Sequence, residues 1–335
     1  MVHFSRERLQ EITSQATDKE ILVLGDLMVD EYLWGEVTRI SPEAPVPIVN
    51  IESAQFRFGG AANVAYNLLG LKAKPVLFGT VGNDRMGEIF IQMLQENGLS
   101  TEGIVQSSDR PTTLKTRIIG NNQHIARVDR ESTKPIPSEI QKEIFHRLEQ
   151  KINDVSAIIL QDYNKGVIVP ELVERIIQLA NKKNKFVTVD PKFNNFFSFK
   201  KVTVFKPNTK ETEEALAVRI YSDENIQQAG QKLLKALDCQ AVLITRGSKG
   251  MALFTADGES VFIGTRARKV ADVSGAGDTV IATLTYALCG GANMKEAVTL
   301  ANFAAGWVCG EVGVVPVERD HLIEWILKHQ DDFDD

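Results

Sequence analysis

The stretch Ala271-Asp272-Val273-Ser274-Gly275-Ala276-Gly277-Asp278-Thr279 runs straight into the apolar segment Val280-Ile281-Ala282-Thr283-Leu284. It reads as a short glycine-rich turn opening a buried helix. Gly275 and Gly277 carry no side chain, so an anion can approach the backbone closely. The first amides of a helix lack intrahelical acceptors and, with the helix dipole, favour negative charge in front of them. Asp278 has two readings. It is a favourable first-turn acid that caps the helix, or it is a general base beside the anion hole.

Outward from this turn, strands and helices alternate. Apolar runs at 21–25, 76–81, 157–161, 186–190, 202–206 and 241–245 read as strands. Helices are expected at 5–17, 64–71, 86–97, 138–153, 169–184, 225–238, 277–288, 294–309 and 319–329. Such alternation implies an α/β fold with a mostly parallel sheet and helices on both faces. Polar residues cluster where the strands end: Gly25-Asp26 followed by Asp30, Asp162-Tyr163-Asn164-Lys165-Gly166, Asp190-Pro191-Lys192, Lys206-Pro207-Asn208-Thr209-Lys210-Glu211 and Thr245-Arg246-Gly247. Open α/β sheets bind ligands beyond the carboxyl ends of their strands, so these endings point to one crevice and to an enzyme.

Two regions break the alternation. Segments 34–40 and 45–51 have strand-like periodicity, and Pro42, Pro45 and Pro47 favour edge or extended backbone there. Segments 112–119 and 124–130 flank Gly120-Asn121-Asn122, a good hairpin turn. Together they are expected to form a small β lid, about 31–58 and 104–131, inserted in a single α/β domain spanning 1–335. Val46, Ile48, Val49 and Ile51 would leave that lid with exposed apolar positions, which implies a homodimer through the lid. Between the two regions, Gly59-Gly60-Ala61-Ala62-Asn63 opens a helix. Its small residues suit close approach either to a ligand or to a neighbouring strand.

The chain has 335 residues, 43% hydrophobic and 24% charged, with a net charge of -6. It can bury a sizeable core and has no basic block of the kind that nucleic acid requires. Three widely spaced cysteines and five histidines show neither disulfide nor metal-ligand spacing. No segment is apolar for long enough to span a membrane, and the first twenty residues lack a signal-peptide core, so a cytoplasmic location is expected. The acidic end at 331–335 reads as a solvated tail. Neither a GxxxxGK[ST] loop nor a GxGxxG following the first strand is present, which counts against Walker-type ATPases and Rossmann dehydrogenases.

In its motifs the chain resembles the ribokinase-like (PfkB) sugar kinases. Asp272–Thr279 (DVSGAGDT), Gly59-Gly60-Ala61-Ala62-Asn63 and the NxxE of Asn208-Thr209-Lys210-Glu211 look like the two signatures and the metal motif of that family, in the same order over about 21–317. Within it, the resemblance is greatest to heptose 7-phosphate kinases of ADP-heptose synthesis. It is carried by Arg39-Ile40-Ser41-Pro42-Glu43-Ala44-Pro45-Val46-Pro47, Phe58–Asn63, Lys115-Thr116-Arg117 with Arg127-Val128-Asp129, and Asp162–Gly166. No HxGH motif is present, so only the kinase half of such proteins is implied.

The resemblance implies a three-layer α/β/α sandwich and a kinase that phosphorylates the anomeric hydroxyl of D-glycero-β-D-manno-heptose 7-phosphate with ATP and Mg²⁺. Asp278 would be the base, and the amides of Gly275, Ala276 and Gly277 would stabilise the transferring phosphoryl group. Asp30, Gly59, Gly60, Asn63 and Asp162 would hold the sugar. Asn208, Thr245, Gly247, Gly277 and Asn302 would line the ATP site. Asn208 and Glu211 would position Mg²⁺, and Asp272 would mark a site for a monovalent cation such as K⁺. Lys115, Arg117, Arg127, Lys165 and Lys192 are candidates for the substrate's phosphate, because an acidic protein needs local positive charge there. The alternatives are a kinase of the same fold for another sugar or sugar phosphate, and a non-catalytic sugar- or nucleotide-binding sensor.

Overall fold

The computed structural model describes every residue except Met1, Arg268, Lys269, Val312, Val314, Asp334 and Asp335, and leaves the Phe333 side chain aside. The last two residues of the acidic end thus lie outside the described residues. The strands in chain order are β1 (Glu20–Gly25), β2 (Leu27–Ile40), β3 (Pro47–Gly60), β4 (Lys74–Gly82), β5 (Gly103–Ser107), β6 (Thr113–Gly120) and β7 (Gln123–Arg130). They continue with β8 (Ala157–Gln161), β9 (Phe186–Asp190), β10 (Val204–Phe205), β11 (Ala241–Thr245), β12 (Met251–Thr255) and β13 (Ser260–Ile263).

Nine of these form one sheet in the order β13-β12-β11-β10-β9-β8-β1-β4-β5. Pairing is parallel from β5 to β11, and β12 and β13 add antiparallel at one edge. Strand residues alternate between the sheet faces. Ile21 and Val23 therefore pack into one core with the helices Arg6–Ala16, Ala61–Gly70, Ala276–Cys289 and Met294–Val308, while Leu22 and Leu24 pack into a second with Ser138–Lys151, Pro170–Lys182 and Asp223–Leu237. This is the expected three-layer α/β/α sandwich. Among the described residues, no helix is long and apolar enough to cross a membrane.

The remaining strands form a four-stranded sheet in the order β3-β2-β6-β7. The β6–β7 hairpin turns at Asn121 and Asn122, with φ of 53° and 61°, the doubly left-handed geometry that suits the twist of a hairpin. Strands β2 and β3 are longer than the sequence suggests. Both begin or end at the core sheet, so the lid extends down to Leu27 and Gly60. The prolines fall in the connection between β2 and β3 or at the start of β3, which leaves β2 free to lie inside the sheet. Register shifts at Trp34/Gly35 and Val37/Arg39 bend its outer half.

Other sequence expectations need correction. The lid boundary at 104 is too early, because Ile104 and Val105 are buried in β5, which pairs with β4 at the edge of the core sheet. The strand expected at 202–206 keeps only a two-residue ladder. A helix at Thr209–Leu216 and the strands β12 and β13 were not expected.

Packing is tight where the helix Asp223–Leu237 crosses β12: the Phe254 ring occupies the space that a side chain at Gly230 would need. Gly230→Val is expected to cost about 1–3 kcal/mol through overpacking. A urea titration checks this, with a lower midpoint and an unchanged slope as the expected result.

Candidate active site

The helix Ala276–Cys289 starts from Gly275, whose φ of 78° is left-handed, a conformation glycine adopts without strain. From Asp278 to Leu288 its side chains are buried all round, as expected for a helix packed between sheet and neighbouring helices. The Ala276 N–H turns back to the Val273 carbonyl at 3.3 Å. The amides of Gly277 and Asp278 have no carbonyl four residues behind them within the helix. This turn lines a cleft of about 480 Å³ that also reaches Asn208, Thr245, Gly247 and Asn302. A side chain built on Gly247 would meet nothing within 4 Å, so that glycine faces open space. The Asn302 amide donates to the Gly264 carbonyl at 2.7 Å, which fixes the far wall.

Asp278 is buried at the inner end of this cleft. Its Oδ2 accepts from Asn63 Nδ2 at 2.7 Å, and its Oδ1 accepts from the Tyr163 hydroxyl at 2.7 Å and from Gln161 Nε2 at 3.0 Å. Gln161 Nε2 also donates to Asp190 Oδ2 at 3.1 Å, and the buried Lys206 ammonium lies 3.0 Å from the same oxygen. A side chain at Gly277 would come 3.6 Å from Lys206 Nζ, so this cation stands beside the mouth of the helix. Burial, with Asp190 nearby, raises the Asp278 pKa to about 6, although the Asn63 and Tyr163 bonds and Lys206 oppose the rise. Asn63 Oδ1 and Gln161 Oε1 are buried without a partner, and buried acceptors in folded proteins rarely stay unpaired.

The lid enters from the other side. Asp30, on β2, is buried and accepts from Arg117 at 2.8 Å. Burial raises its pKa, against the pull of Arg117. A side chain on Gly59 would come 2.9 Å from Asp30 Oδ2, and one on Gly60 would strike the Asp26 carbonyl. These glycines therefore let β3 close onto the base of β2. Asp26 accepts amides from Tyr163 at 2.8 Å and from Lys165 and Val167 at 3.0 Å, tying the turn after β8 to the base of the lid.

Several residues singled out in the sequence are engaged elsewhere. Asp162 is fully buried within its turn, accepting from the Asn164 amide at 2.7 Å and from Asn195 Nδ2 at 3.0 Å, and burial raises its pKa to about 6. Lys115 pairs with Asp129 at 3.0 Å and Glu131 at 3.1 Å, Lys165 with Glu131 at 2.7 Å, and Arg127 with Asp129 at 3.0 Å. Lys192 pairs with Glu211. Burial works to lower its pKa, but Asp190 and Glu211 outweigh this and raise it.

Asn208 and Glu211 form a capping box at the start of Thr209–Leu216, with Asn208 Oδ1 and Glu211 Oε2 each accepting the other's backbone N–H at 2.8 Å. Asp272 accepts from the Ser274 and Gly313 amides at 2.9 and 3.2 Å. Gln161, Tyr163, Asp190 and Lys206 belong to the network around Asp278; the last three stand in the strand-end clusters without an assigned role, and Gln161 is not among them. A signal existed: Gln161 and Asp190 are the last residues of adjacent strands and face each other in register.

A glycine-lined helix mouth at the carboxyl edge of a parallel sheet, a cleft alongside it and a small β lid define a ribokinase-like kinase. Residues 18–320 match the sequence profile described as pfkB family carbohydrate kinase, and the chain belongs to that family. It is accordingly a phosphotransferase acting on an alcohol group, and the family implies the use of ATP and Mg²⁺. The chain is 40% identical over 318 residues to the bifunctional protein HldE of Geobacter sulfurreducens, covering 95% of this chain and 65% of that protein. It is 44% identical over 295 residues to HldE of Helicobacter pylori strain J99, covering 88% and 64%. The chain thus spans a little under two thirds of the length of these relatives.

Among solved structures, Arabidopsis thaliana ribokinase with ribose and ATP aligns at a TM-score of 0.73 and 20% identity, over 92% of this chain and 99% of that one. Escherichia coli phosphofructokinase-2 with potassium aligns at 0.75 and 16%, over 94% and 99%. At such identities the likeness concerns the fold.

The raised pKa of Asp278 has a consequence for stability. In the folded state this carboxyl keeps its proton up to about pH 6, whereas in the unfolded chain it ionises near 4. The stability contributed by the protonated form is complete below about pH 4 and is lost as pH rises through 6. Asp278→Asn cannot lose it. The stability difference between variant and wild type is therefore expected to move in the variant's favour by roughly 2 kcal/mol between pH 4 and 7, read from denaturant unfolding at several pH values.

Proposed function

We propose that the protein transfers the γ-phosphoryl group of ATP to the anomeric hydroxyl of D-glycero-β-D-manno-heptose 7-phosphate, giving the 1,7-bisphosphate used in ADP-heptose synthesis. The observation that carries this reading is the placement of Asp278. One of its oxygens rests on Asn63, at the lid side, and its backbone belongs to the helix mouth at the cleft. The HldE relatives support the choice of sugar.

Asp278 accepts the proton of the anomeric hydroxyl as the sugar oxygen attacks phosphorus and ADP departs with the electrons of the broken bond. The unpartnered Asn63 Oδ1 and the Asp30 carboxylate accept sugar hydroxyls. Lys206 and the first amides of the helix Ala276–Cys289 face the transferring group and offset its charge. Gly247 and Gly277 leave room along the cleft wall for ATP.

Among the described residues, no cluster of three or more His, Cys, Asp or Glu forms a cation cage. The oxygen side chains of Asn208 and Glu211 suit Mg²⁺, which keeps several waters and binds through few protein oxygens and substrate phosphates. Asn208 and Glu211 are the residues that would hold it, and when bound it would neutralise phosphate charge. Asp272 with the adjoining Gly313 loop would mark the place of a monovalent cation.

Asp278→Asn is expected to lower kcat about 10²- to 10⁴-fold with ATP binding retained, measured by a coupled ADP assay. Near-wild-type turnover would remove Asp278 from the role of base. The same assay across heptose 7-phosphate, other sugar phosphates and free sugars tests the substrate. The carboxylate partners of Lys115, Arg117, Arg127, Lys165 and Lys192 favour a second reading, a kinase for an unphosphorylated sugar, and turnover of free sugars alone would establish it.

The outer lid leaves Ile40, Val46 and Ile51 60%, 52% and 47% exposed. Apolar strands of this kind support pairing with a second copy. A dimeric mass by sedimentation at micromolar concentration is expected, and Val46→Lys with Ile51→Lys should shift it toward the monomer.

A further inference from the structure

Arg57, on β3, lies opposite Asp30 in the lid register. Its Cζ is 4.9 Å from the centroid of the Tyr32 ring, and the Cζ of Arg117 is 5.0 Å from the same centroid. Two guanidinium groups thus gather on one buried tyrosine. Register partners share a face of a sheet, so Asp30, Arg57 and Lys115 stand together, as do the pairs Arg117–Arg127 and Lys115–Asp129 on the neighbouring strands.

The cations here differ in their partners. Arg117 is held by Asp30, Arg127 by Asp129, Lys165 by Glu131, and Lys115 by both Asp129 and Glu131. No described carboxylate lies within ion-pair distance of Arg57, whose side-chain bond is a 3.5 Å contact to Gln55 Oε1. Lys115, Arg117, Arg127, Lys165 and Arg57 therefore meet only Asp30, Asp129 and Glu131. Five positive groups against these three carboxylates and Asp272, which accepts the Gly313 amide beside the Arg57 guanidinium, leave an excess of positive charge that suits an anion.

Position agrees with charge. Arg57 is two residues from Gly59, which abuts Asp30. Along a strand that places it on the same face about 7 Å further out, away from the helix mouth. A sugar that reacts beside Asp278 and is held by Asp30 would extend its far end in this direction.

We propose that Arg57, together with Arg117, binds the phosphate already carried by the sugar substrate and sets the preference for a phosphorylated over a free sugar. This rests on the sugar-phosphate reading above and adds the residue that decides it. The competing role is mechanical, because the Arg57 guanidinium fills the space that a side chain at Gly313 would need and so joins the lid to the loop after the helix Met294–Val308. The two roles predict different kinetics. A phosphate anchor acts on one class of substrate, whereas a mechanical link acts on both.

The experiment compares the 335-residue wild type, Arg57→Gln and Arg57→Lys on heptose 7-phosphate and on the same heptose without phosphate, with inorganic phosphate as a competing ligand. Arg57→Gln should raise KM for the phosphorylated sugar about 10- to 100-fold, the span expected for a lost charged hydrogen bond. It should leave kcat on that sugar and kcat/KM on the free sugar close to wild type, and weaken inhibition by inorganic phosphate. Arg57→Lys keeps the charge but loses the planar fork, so its preference should fall between the two. An unchanged preference in Arg57→Gln, or an equal loss on both sugars, overturns the proposal. If Arg57→Gln does not fold, wild-type preference in Arg57→Lys overturns it. A wild-type enzyme indifferent to the phosphate rejects the sugar-phosphate reading itself, and the proposal falls with it.

Discussion

The carboxylate of Asp26 holds the site together. It stands in the one-residue gap between β1 and β2 and accepts three backbone amides, from Tyr163, Lys165 and Val167. Its own carbonyl accepts from the Ala61 amide at 3.0 Å, at the start of the helix that carries Asn63. One residue thereby joins the end of the core sheet, the base of the lid, the turn after β8 and the helix Ala61–Gly70. Burial raises its pKa, and those three amides oppose the rise. A carboxylate satisfied by backbone donors in this way orders a turn at little expense in buried, unpaired polarity.

Because that turn is ordered, Tyr163 reaches Asp278. The two donors on Oδ1 and the Asn63 donor on Oδ2 fix the orientation of a buried acid whose proton affinity has been raised by its surroundings. Asp190 contributes repulsion and Lys206 attraction, so the balance around Asp278 is set by a chain of groups and not by one neighbour. Groups that serve proton transfer need this kind of tuning, since a base with an ordinary carboxylate pKa is a weak one near neutral pH.

Much of this was legible from the residues, and the parts that were not share a cause. Continuous apolar runs marked β1, β4, β8, β9 and β11 because strands buried on both faces leave that pattern. The pair Asn121-Asn122 marked the hairpin because its backbone geometry admits few residue types. The N-x-x-E at Asn208–Glu211 carried two meanings at once, a family motif and a capping box, and the helix behind it was overlooked. Asp162, which the resemblance picked out, turns into its own loop, while Gln161 beside it faces Asp278. The ion pairs of the lid lay beyond reach. Which carboxylate meets Lys115 or Lys165 depends on register and on the approach of a distant turn, and residue type alone encodes neither.

The long lid strands carry a consequence of their own. Below the register shifts at Trp34/Gly35, β2 and β3 run without interruption into the core sheet and the helix Ala61–Gly70. Asp30, Gly59 and Gly60 are therefore part of the frame and not of the outer lid. The outer plate above the shifts stands clear of that frame and carries the exposed Ile40, Val46 and Ile51. Evolution can remodel that plate, and with it the company the protein keeps, while the chemistry beneath stays as it is.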